Sequence, residues 1–329
     1  MKRIDFEFHG YLPEVFDVMA KRKDYPYYDP KTDVVFFNPA IEQPHDFLRP
    51  NLTREFEDRV AKLDEGGISM AVLSSSPGVE ELGDDAIEMC RKTNNWIYEH
   101  TKRFPDRFKG SATLPVMDAD AACDELKRCV QELGFVAWHA HACFCNIGAD
   151  DPRFRPIFKT AEELGVYVYL HPALFYPFER VAGFDFPFAG PALGFTINTQ
   201  LTLLRLMLDG AFDDMPDLKI MTGHLGEALP FLLERISNRL AFSPSPSVKM
   251  QQNVKYYFAN NIYVTTSGNC SKDAFECTKN VLGIDHILYG SDYPFEDPRE
   301  MRDFTDSLSL TTEEREKLYF KNAEKFINK

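Results

Sequence analysis

Val166-Tyr167-Val168-Tyr169-Leu170-His171-Pro172 reads as a β-strand with a hard stop. Its β-branched and aromatic residues suit a pleated surface, and the proline ends the ladder by removing a donor. Just before it, Arg153–Leu164 has the length and amphipathic pattern of a helix. The pairing recurs along the chain. Runs rich in β-formers occupy 2–7, 69–75, 109–115, 135–140, 219–223, 262–267 and 286–291 besides 166–171. Helix-length segments lie between most of them, among them Asp85–Arg103, Ala119–Leu133, Thr196–Asp209 and Glu227–Leu240. Met70-Ala71-Val72-Leu73 is apolar on both faces, as a parallel strand covered by helices must be. Eight strand–helix alternations predict an α/β fold of the (β/α)8 TIM-barrel type. No glycine-rich phosphate fingerprint follows the first strand, which removes the main sign of a dinucleotide fold.

Two stretches interrupt the rhythm, as long loops after strands 1 and 5. Residues 10–52 carry Tyr25, Tyr27, Tyr28, Phe36, Phe37 and several prolines, and residues 172–195 are rich in Phe, Pro and Gly. Both leave the C-terminal ends of strands, where barrel enzymes keep their chemistry. We expect one domain over 1–329, with insertion 10–52 covering the active-site rim. Aromatic walls there suit a small planar substrate; the plainer function of such loops is to cover the barrel or meet another subunit.

The bulk composition narrows the function classes. At 329 residues with 44% hydrophobic content the chain can bury a large core. A net charge of −14 and a pI near 5.1 argue against nucleic acid and anionic membranes as partners. No apolar run approaches about 18 residues, and the start, Met1-Lys2-Arg3-Ile4-Asp5, has no signal region. The seven cysteines include no Cys-x-x-Cys pair and read as reduced thiols. The cytoplasm is the expected location.

Metal-binding side chains close several of the strands. Glu7 and His9 follow Arg3-Ile4-Asp5-Phe6, His171 ends its strand, His224 follows Lys219-Ile220-Met221-Thr222-Gly223, and Asp292 follows Tyr289-Gly290-Ser291. Glu7 and His9 are two apart and so share a strand face. Carboxylates and imidazoles together hold Zn, Mn or Fe. His224 is open to three roles: a further ligand, a helix N-terminal residue or a general acid/base. Asp292 can bind metal, move protons or cap the next helix. Arg59 and Arg235 are candidate anion anchors. Arg235 lies eleven residues past His224, about three helical turns on, which suggests reach into a neighbouring subunit's site. His139 and His141 alternate at the end of strand 4 and can line the mouth. His45, His100 and His286 have the setting of surface or helix-end residues.

These segments resemble the amidohydrolase superfamily, and within it the metal-dependent decarboxylase branch. The resemblance runs through Glu7-Phe8-His9, Arg59 ahead of Asp64-Glu65-Gly66-Gly67-Ile68, Leu170-His171-Pro172, Gly223-His224-Leu225-Gly226-Glu227-Ala228-Leu229-Pro230 and Ser291-Asp292-Tyr293-Pro294-Phe295-Glu296. It implies Glu7, His9, His171 and Asp292 as ligands of one divalent ion, Zn2+ or Mn2+ with Mg2+ as a third option. It implies a catalytic role for His224 and contacts to substrate from Arg235, Arg59 and Phe295, in a homodimer or homotetramer. Strand 4 reads Phe135-Val136-Ala137-Trp138-His139 and offers no lysine to bridge two metals.

The activity implied is non-oxidative decarboxylation of a hydroxybenzoate-like or unsaturated acid, with Asp292 as proton donor to the substrate carbon. That role requires an Asp292 carboxyl whose pKa is partly raised or coupled to substrate. A hydrolase or hydratase on the same scaffold, in which a metal activates water, is the alternative. A barrel that only holds a ligand or structural metal is the third.

Overall fold

The structure, a computed structural model, describes residues 1–38, 41–42, 46–173 and 185–328. Eight parallel strands stand in chain order: β1 (Ile4–Gly10), β2 (Met70–Ser75), β3 (Phe108–Ala112), β4 (Ala137–His141), β5 (Tyr167–His171), β6 (Ile220–Thr222), β7 (Ile262–Thr265) and β8 (Ile287–Leu288). The ring closes between β8 and β1, where the Phe6 N–H donates to Tyr289 O (3.1 Å) and the His9 N–H to Tyr293 O (2.7 Å). Each strand is followed by its helix: α1 (Phe56–Glu65), α2 (Ala86–Arg103), α3 (Ala119–Gln131), α4 (Arg155–Leu164), α5 (Gly194–Leu208), α6 (Leu229–Phe242), α7 (Lys272–Leu282) and α8 (Pro298–Asp306). This is the expected (β/α)8 barrel.

Local chemistry sets the helix ends. The carboxylate of Asp118 accepts from the Ala121 N–H (3.0 Å) at the start of α3, and the Ser271 hydroxyl does the same for Ala274 (3.2 Å) at the start of α7. Gly165, at φ 67°, ends α4 in the left-handed conformation.

Two apolar layers then form. Outward-facing residues pack under the helices, as where Trp138 of β4 meets Phe158 of α4 at 4.9 Å between ring centroids. Each fully buried large apolar side chain of this layer stabilises by roughly 1.5–3 kcal/mol. Inward-facing Ile4, Phe6, Tyr167, Tyr169 and Met221 fill the barrel, and Phe326 near the C-terminus plugs it from below, 5.4 Å from Tyr167.

The expected strand and helix limits shift in instructive places. β1 continues through Gly10, so Glu7 lies inside the strand and not beyond its end. The segment expected as one helix from Glu227 begins instead as a turn in which His224, Leu225, Gly226, Glu227 and Ala228 all have φ between 53° and 86°. Only then does α6 start.

Residues 10–52 include a short helix (Glu14–Met19) and three short antiparallel strands (Tyr27–Asp29, Val34–Asn38 and Ile41–Glu42). They bury Tyr11, Val15, Phe16, Met19, Tyr28 and Val35 against Met89 and Cys90 of α2, a satellite core apart from the barrel's own. Of the second long loop, residues 174–184 lie outside the described residues. No helix among the described residues is long and apolar enough to cross a membrane. All seven cysteines are free.

Candidate metal centre

At the C-terminal mouth the structure brings together Glu7, His9, His171 and Asp292, one ligand atom of each lying within 4.8 Å of the others. His9 Nε2 is 3.4 Å from Asp292 Oδ1 and 4.0 Å from Glu7 Oε1, and His171 Nε2 is 3.9 Å from Glu7 Oε1.

Each side chain is held by its other polar atom. Glu7 Oε2 accepts from the Tyr169 hydroxyl and from Thr265 Oγ1 (3.3 Å), and Thr265 Oγ1 also meets Ser267 Oγ at 2.8 Å. His9 Nδ1 bonds Ser74 Oγ (2.9 Å), while His171 Nδ1–H donates to Pro172 O (2.9 Å). That bond leaves the His171 Nε2 lone pair free to face the centre. The opposite atoms, Glu7 Oε1, His9 Nε2 and Asp292 Oδ1, are buried and have no hydrogen-bond partner among the described residues. An unmet buried polar atom costs about 1–3 kcal/mol, so three aimed at one point call for a common partner. Two carboxylate oxygens and two imidazole nitrogens suit a divalent ion such as Mn2+ or Zn2+. The residues fit one.

His224 Nε2 lies 3.6 Å from Asp292 Oδ2, and His224 Nδ1 is 2.7 Å from Glu227 Oε1. Glu227 Oε2 accepts in turn from Thr196 Oγ1 (2.7 Å). Burial works against the imidazolium, but the Glu227 charge and the nearby Asp292 carboxylate outweigh it and hold His224 well above its usual pKa. Burial pushes the Asp292 carboxyl up, yet the His224 and His9 imidazoles close beside it leave it below the carboxylate range. Of the two routes expected for Asp292, a partly raised pKa or coupling to substrate, this charge balance opposes the first. Glu7 moves the other way, raised by burial and then by the charge of Asp292. Asp292 (φ 61°) and the His224–Ala228 turn put the backbone in a sparsely populated region beside the centre.

Close approach explains one glycine here. A Cβ on Gly223 would stand 2.9 Å from Ser267 Oγ, 3.1 Å from Glu7 Oε2 and 3.2 Å from the Tyr169 hydroxyl.

Above the centre lies a cavity of about 540 Å3, walled by Phe37, Phe47, Leu48, Phe195 and Phe295, with His171, His224 and Asp292 at its base. Phe295 lies 5.8 Å from His9 and 5.9 Å from Phe47, ring to ring. The expected aromatic wall is thus real but built differently. Among the aromatics singled out in the insertion only Phe37 lines the cavity; Tyr28 packs in the satellite core, and Tyr27 stacks on Phe36 at 4.6 Å.

Several expected residues are elsewhere. Arg59 is no anion anchor in this structure: it is fully buried and donates to the backbone oxygens of Arg54 (3.1 Å), His9 (3.1 Å) and Leu52. Burial pulls its guanidinium down to about 10. It props up the end of β1 from beneath. Arg235 is exposed on α6, away from its own chain's cavity. His139 and His141 sit buried below the cavity and do not line its mouth; His141 pairs with Glu80. His100, expected at the surface or at a helix end, lies in the last turn of α2 but is buried there, with Nδ1 bonded to Trp96 O (3.0 Å). His286 bonds Ile262 O (2.7 Å) at the start of β8, and His45 lies outside the described residues.

The hydroxyls of Tyr169, Thr265, Ser267 and Ser74 were not foreseen, nor was Glu227 as the partner of His224. Strand alternation carries a signal for Tyr169, two residues before His171, and helical spacing one for Glu227, three after His224.

Comparison with known proteins agrees with this geometry. The family model described as Amidohydrolase matches residues 56–329. A γ-resorcylate decarboxylase of Polaromonas sp. (strain JS666 / ATCC BAA-500) is 34% identical over 288 residues, covering 84% of this chain and 88% of that one. A crystal structure of 2,6-dihydroxybenzoate decarboxylase complexed with 2,6-dihydroxybenzoate superimposes with a TM-score of 0.85 at 31% identity, covering 100% of both chains. A dihydroxybenzoic acid decarboxylase from Polaromonas sp. JS666, with bound manganese and the inhibitor 2-nitroresorcinol, gives 0.84 at 31% identity over 99% of this chain and 97% of that one.

Proposed function

We propose that this chain, which belongs to the amidohydrolase family, is a metal-dependent decarboxylase of a small ortho-hydroxybenzoate. The observation that carries this is the convergence of unpartnered donor atoms on Glu7, His9 and Asp292, with His171 and the His224–Glu227 pair, beneath an aromatic-walled cavity. A divalent ion, Mn2+ or alternatively Zn2+, would be held by Glu7, His9, His171 and Asp292 and would supply the positive charge that offsets the substrate's carboxylate and phenolate.

The protein's own residues do the rest. Phe295 and Phe47 flank the ring and exclude water. Asp292 passes a proton to the ring carbon that bears the carboxylate, and that carbon loses its aromatic bonding. The C–C bond then breaks, CO2 leaves, and the electron pair restores the ring. The proton reaches Asp292 from His224, which Glu227 and Thr196 hold in line. Asp292 is thus a conduit whose resting form is the carboxylate.

A homodimer is the assembly we favour, with Arg235 meeting the substrate's remaining polar groups across the interface. Its support is the outer face of α6, where Phe231 is 78% and Phe242 77% exposed beside Arg235. Seven free thiols support a reducing compartment such as the cytoplasm.

The test is metal analysis of the purified protein, then a screen for CO2 release over hydroxybenzoates with Mn2+ supplied. Asp292→Asn is expected to cut turnover by at least about 10²-fold while keeping most of the metal. Ring-opened or hydrated products in place of CO2, or near-normal turnover in that variant, would overturn the assignment.

A further inference from the structure

The cavity over the metal centre is bordered by acids. Glu81, Glu227, Asp292 and Glu296 line it, and no lysine or arginine among the described residues does. Three of the four have an evident place. Asp292 belongs to the ligand cluster, Glu227 holds His224, and Glu296 is exposed. Glu81 is the one left over. The strands ring the barrel in chain order, so β2–β4 form the arc opposite β6–β8, after which His224 and Asp292 stand. Glu81 lies six residues past the end of β2 and Cys143 two past the end of β4, and both line the cavity from that far arc. Glu81 is partly exposed there, and no cation pairs with its carboxyl among the described residues. Arg22 comes near, but its donors go to the backbone oxygens of Pro26 (2.9 Å), Leu82 (2.5 Å) and Tyr25 (3.2 Å). Glu80, the residue before, is buried and paired with His141.

Burial, and then the charge of Glu80, push the Glu81 carboxyl up to about 8, against a smaller pull from the Cys145 backbone and Arg22. A carboxyl kept neutral near pH 7 offers one O–H donor and one acceptor oxygen. Surroundings that withhold charge from Glu81 withhold it equally from a ligand carboxylate brought beside it. We propose that Glu81 reads the end of the substrate remote from the reacting carboxylate, taking a neutral hydroxyl by hydrogen bonding and rejecting a second carboxylate. The substrate class narrows to a phenolic monoacid with a further hydroxyl across the ring, and aromatic diacids are turned away at that end. This rests on the decarboxylase reading, which puts the reacting carboxylate at the metal centre.

The test is calorimetric binding to the Mn2+-loaded protein of salicylates carrying hydrogen, hydroxyl or carboxylate para to the reacting group, and of the matching meta series. In at least one series the hydroxyl compound is expected to bind about fivefold tighter than the hydrogen compound, as one net hydrogen bond provides, and the carboxylate compound at least about tenfold weaker. Glu81→Ala is expected to bring the hydroxyl-to-hydrogen ratio close to one and to shrink the carboxylate penalty, whereas Glu81→Gln, neutral and still a donor and acceptor, keeps the ratio. Glu81→Met fills the space without a polar group and gives the alanine readout should that variant fail to fold. A structural role alone would shift all ligands together and leave the ratios unchanged. Carboxylate compounds that bind as tightly as hydroxyl compounds in both series, or equal ratios in wild type and the apolar variants, would overturn the proposal. Binding is read apart from CO2 release, so the decarboxylase reading can fail while this ranking stands.

Discussion

Gly223→Ala isolates the placement of Glu7 from every other property of the centre. Gly223 has φ −74° and ψ −172°, extended backbone that alanine adopts freely, so the added methyl carries no conformational strain. What it meets is oxygen: Ser267 Oγ at 2.9 Å, Glu7 Oε2 at 3.1 Å and the Tyr169 hydroxyl at 3.2 Å. Ordinary van der Waals contact needs about 3.5 Å or more, so these three atoms must retreat by a few tenths of an ångström. Two of them are the Glu7–Tyr169 hydrogen bond itself, and Glu7 Oε1 turns with Oε2. Overpacking of this kind costs about 1–3 kcal/mol of stability. Metal affinity should fall about 10–100-fold, as when groups supporting a ligand are lost, and turnover about 10²-fold for a misplacement approaching 1 Å. The assay is metal titration without substrate, then CO2 release at saturating Mn2+, beside thermal melting. Gly134→Ala is the control: its φ is +70°, but the new Cβ meets nothing within 4 Å, so it should cost about 1–2 kcal/mol of stability and leave kcat alone. A folded Gly223→Ala protein with metal affinity and kcat within about twofold of wild type would refute the claim that Tyr169 and Gly223 position Glu7.

Other expectations follow from the same contacts. Arg59→Ala should destabilise by about 3 kcal/mol, because three backbone oxygens lose their donor in a buried site; a variant with normal melting and only a raised KM would restore Arg59 as a substrate anchor. Glu227→Gln removes the charge that holds His224, and kcat should drop about 10²-fold with metal content unchanged; metal loss in parallel would point to a structural role instead. Burial holds the His100 imidazole down at about 3. Between about pH 6.5 and 3 the unfolded chain therefore binds a proton that the folded one refuses, and stability falls as pH falls through that window. His100→Gln should flatten the fall by a few kcal/mol, measurable by urea unfolding at several pH values; an unchanged slope would exclude His100 as its source.

The alternation that defines the barrel was legible because parallel strands under helices are apolar on both faces, and Met70-Ala71-Val72-Leu73 could not be solvated on either. The ligand set was legible because Glu7, His9, His171 and Asp292 are polar residues at or near the ends of such strands, where water or a metal must meet them. What lay hidden is long-range. Glu7 is fixed by Tyr169 from β5 and Thr265 from β7, more than 150 residues away, and spacing says nothing of that. Arg59 has the same letters in sequence whether its guanidinium faces substrate or carbonyl oxygens; only the packing of α1 under Gly10 decides. The pattern around His224 predicted a helix, since Glu227 onward is amphipathic. The left-handed turn that aims the imidazole is a tertiary outcome. The insertion's aromatics were read as one wall because composition cannot separate those that face a ligand from those that build a second core.

That second core has an evolutionary consequence. Tyr11, Val15, Phe16 and Val35 draw their cohesion from α2 and one another, so the flap that presents Phe37 and Phe47 to the cavity is anchored separately from the strands that carry the ligands. Drift or laboratory selection can recut the mouth for a new guest molecule by altering this flap, and the reacting groups below inherit the change without having to be rebuilt.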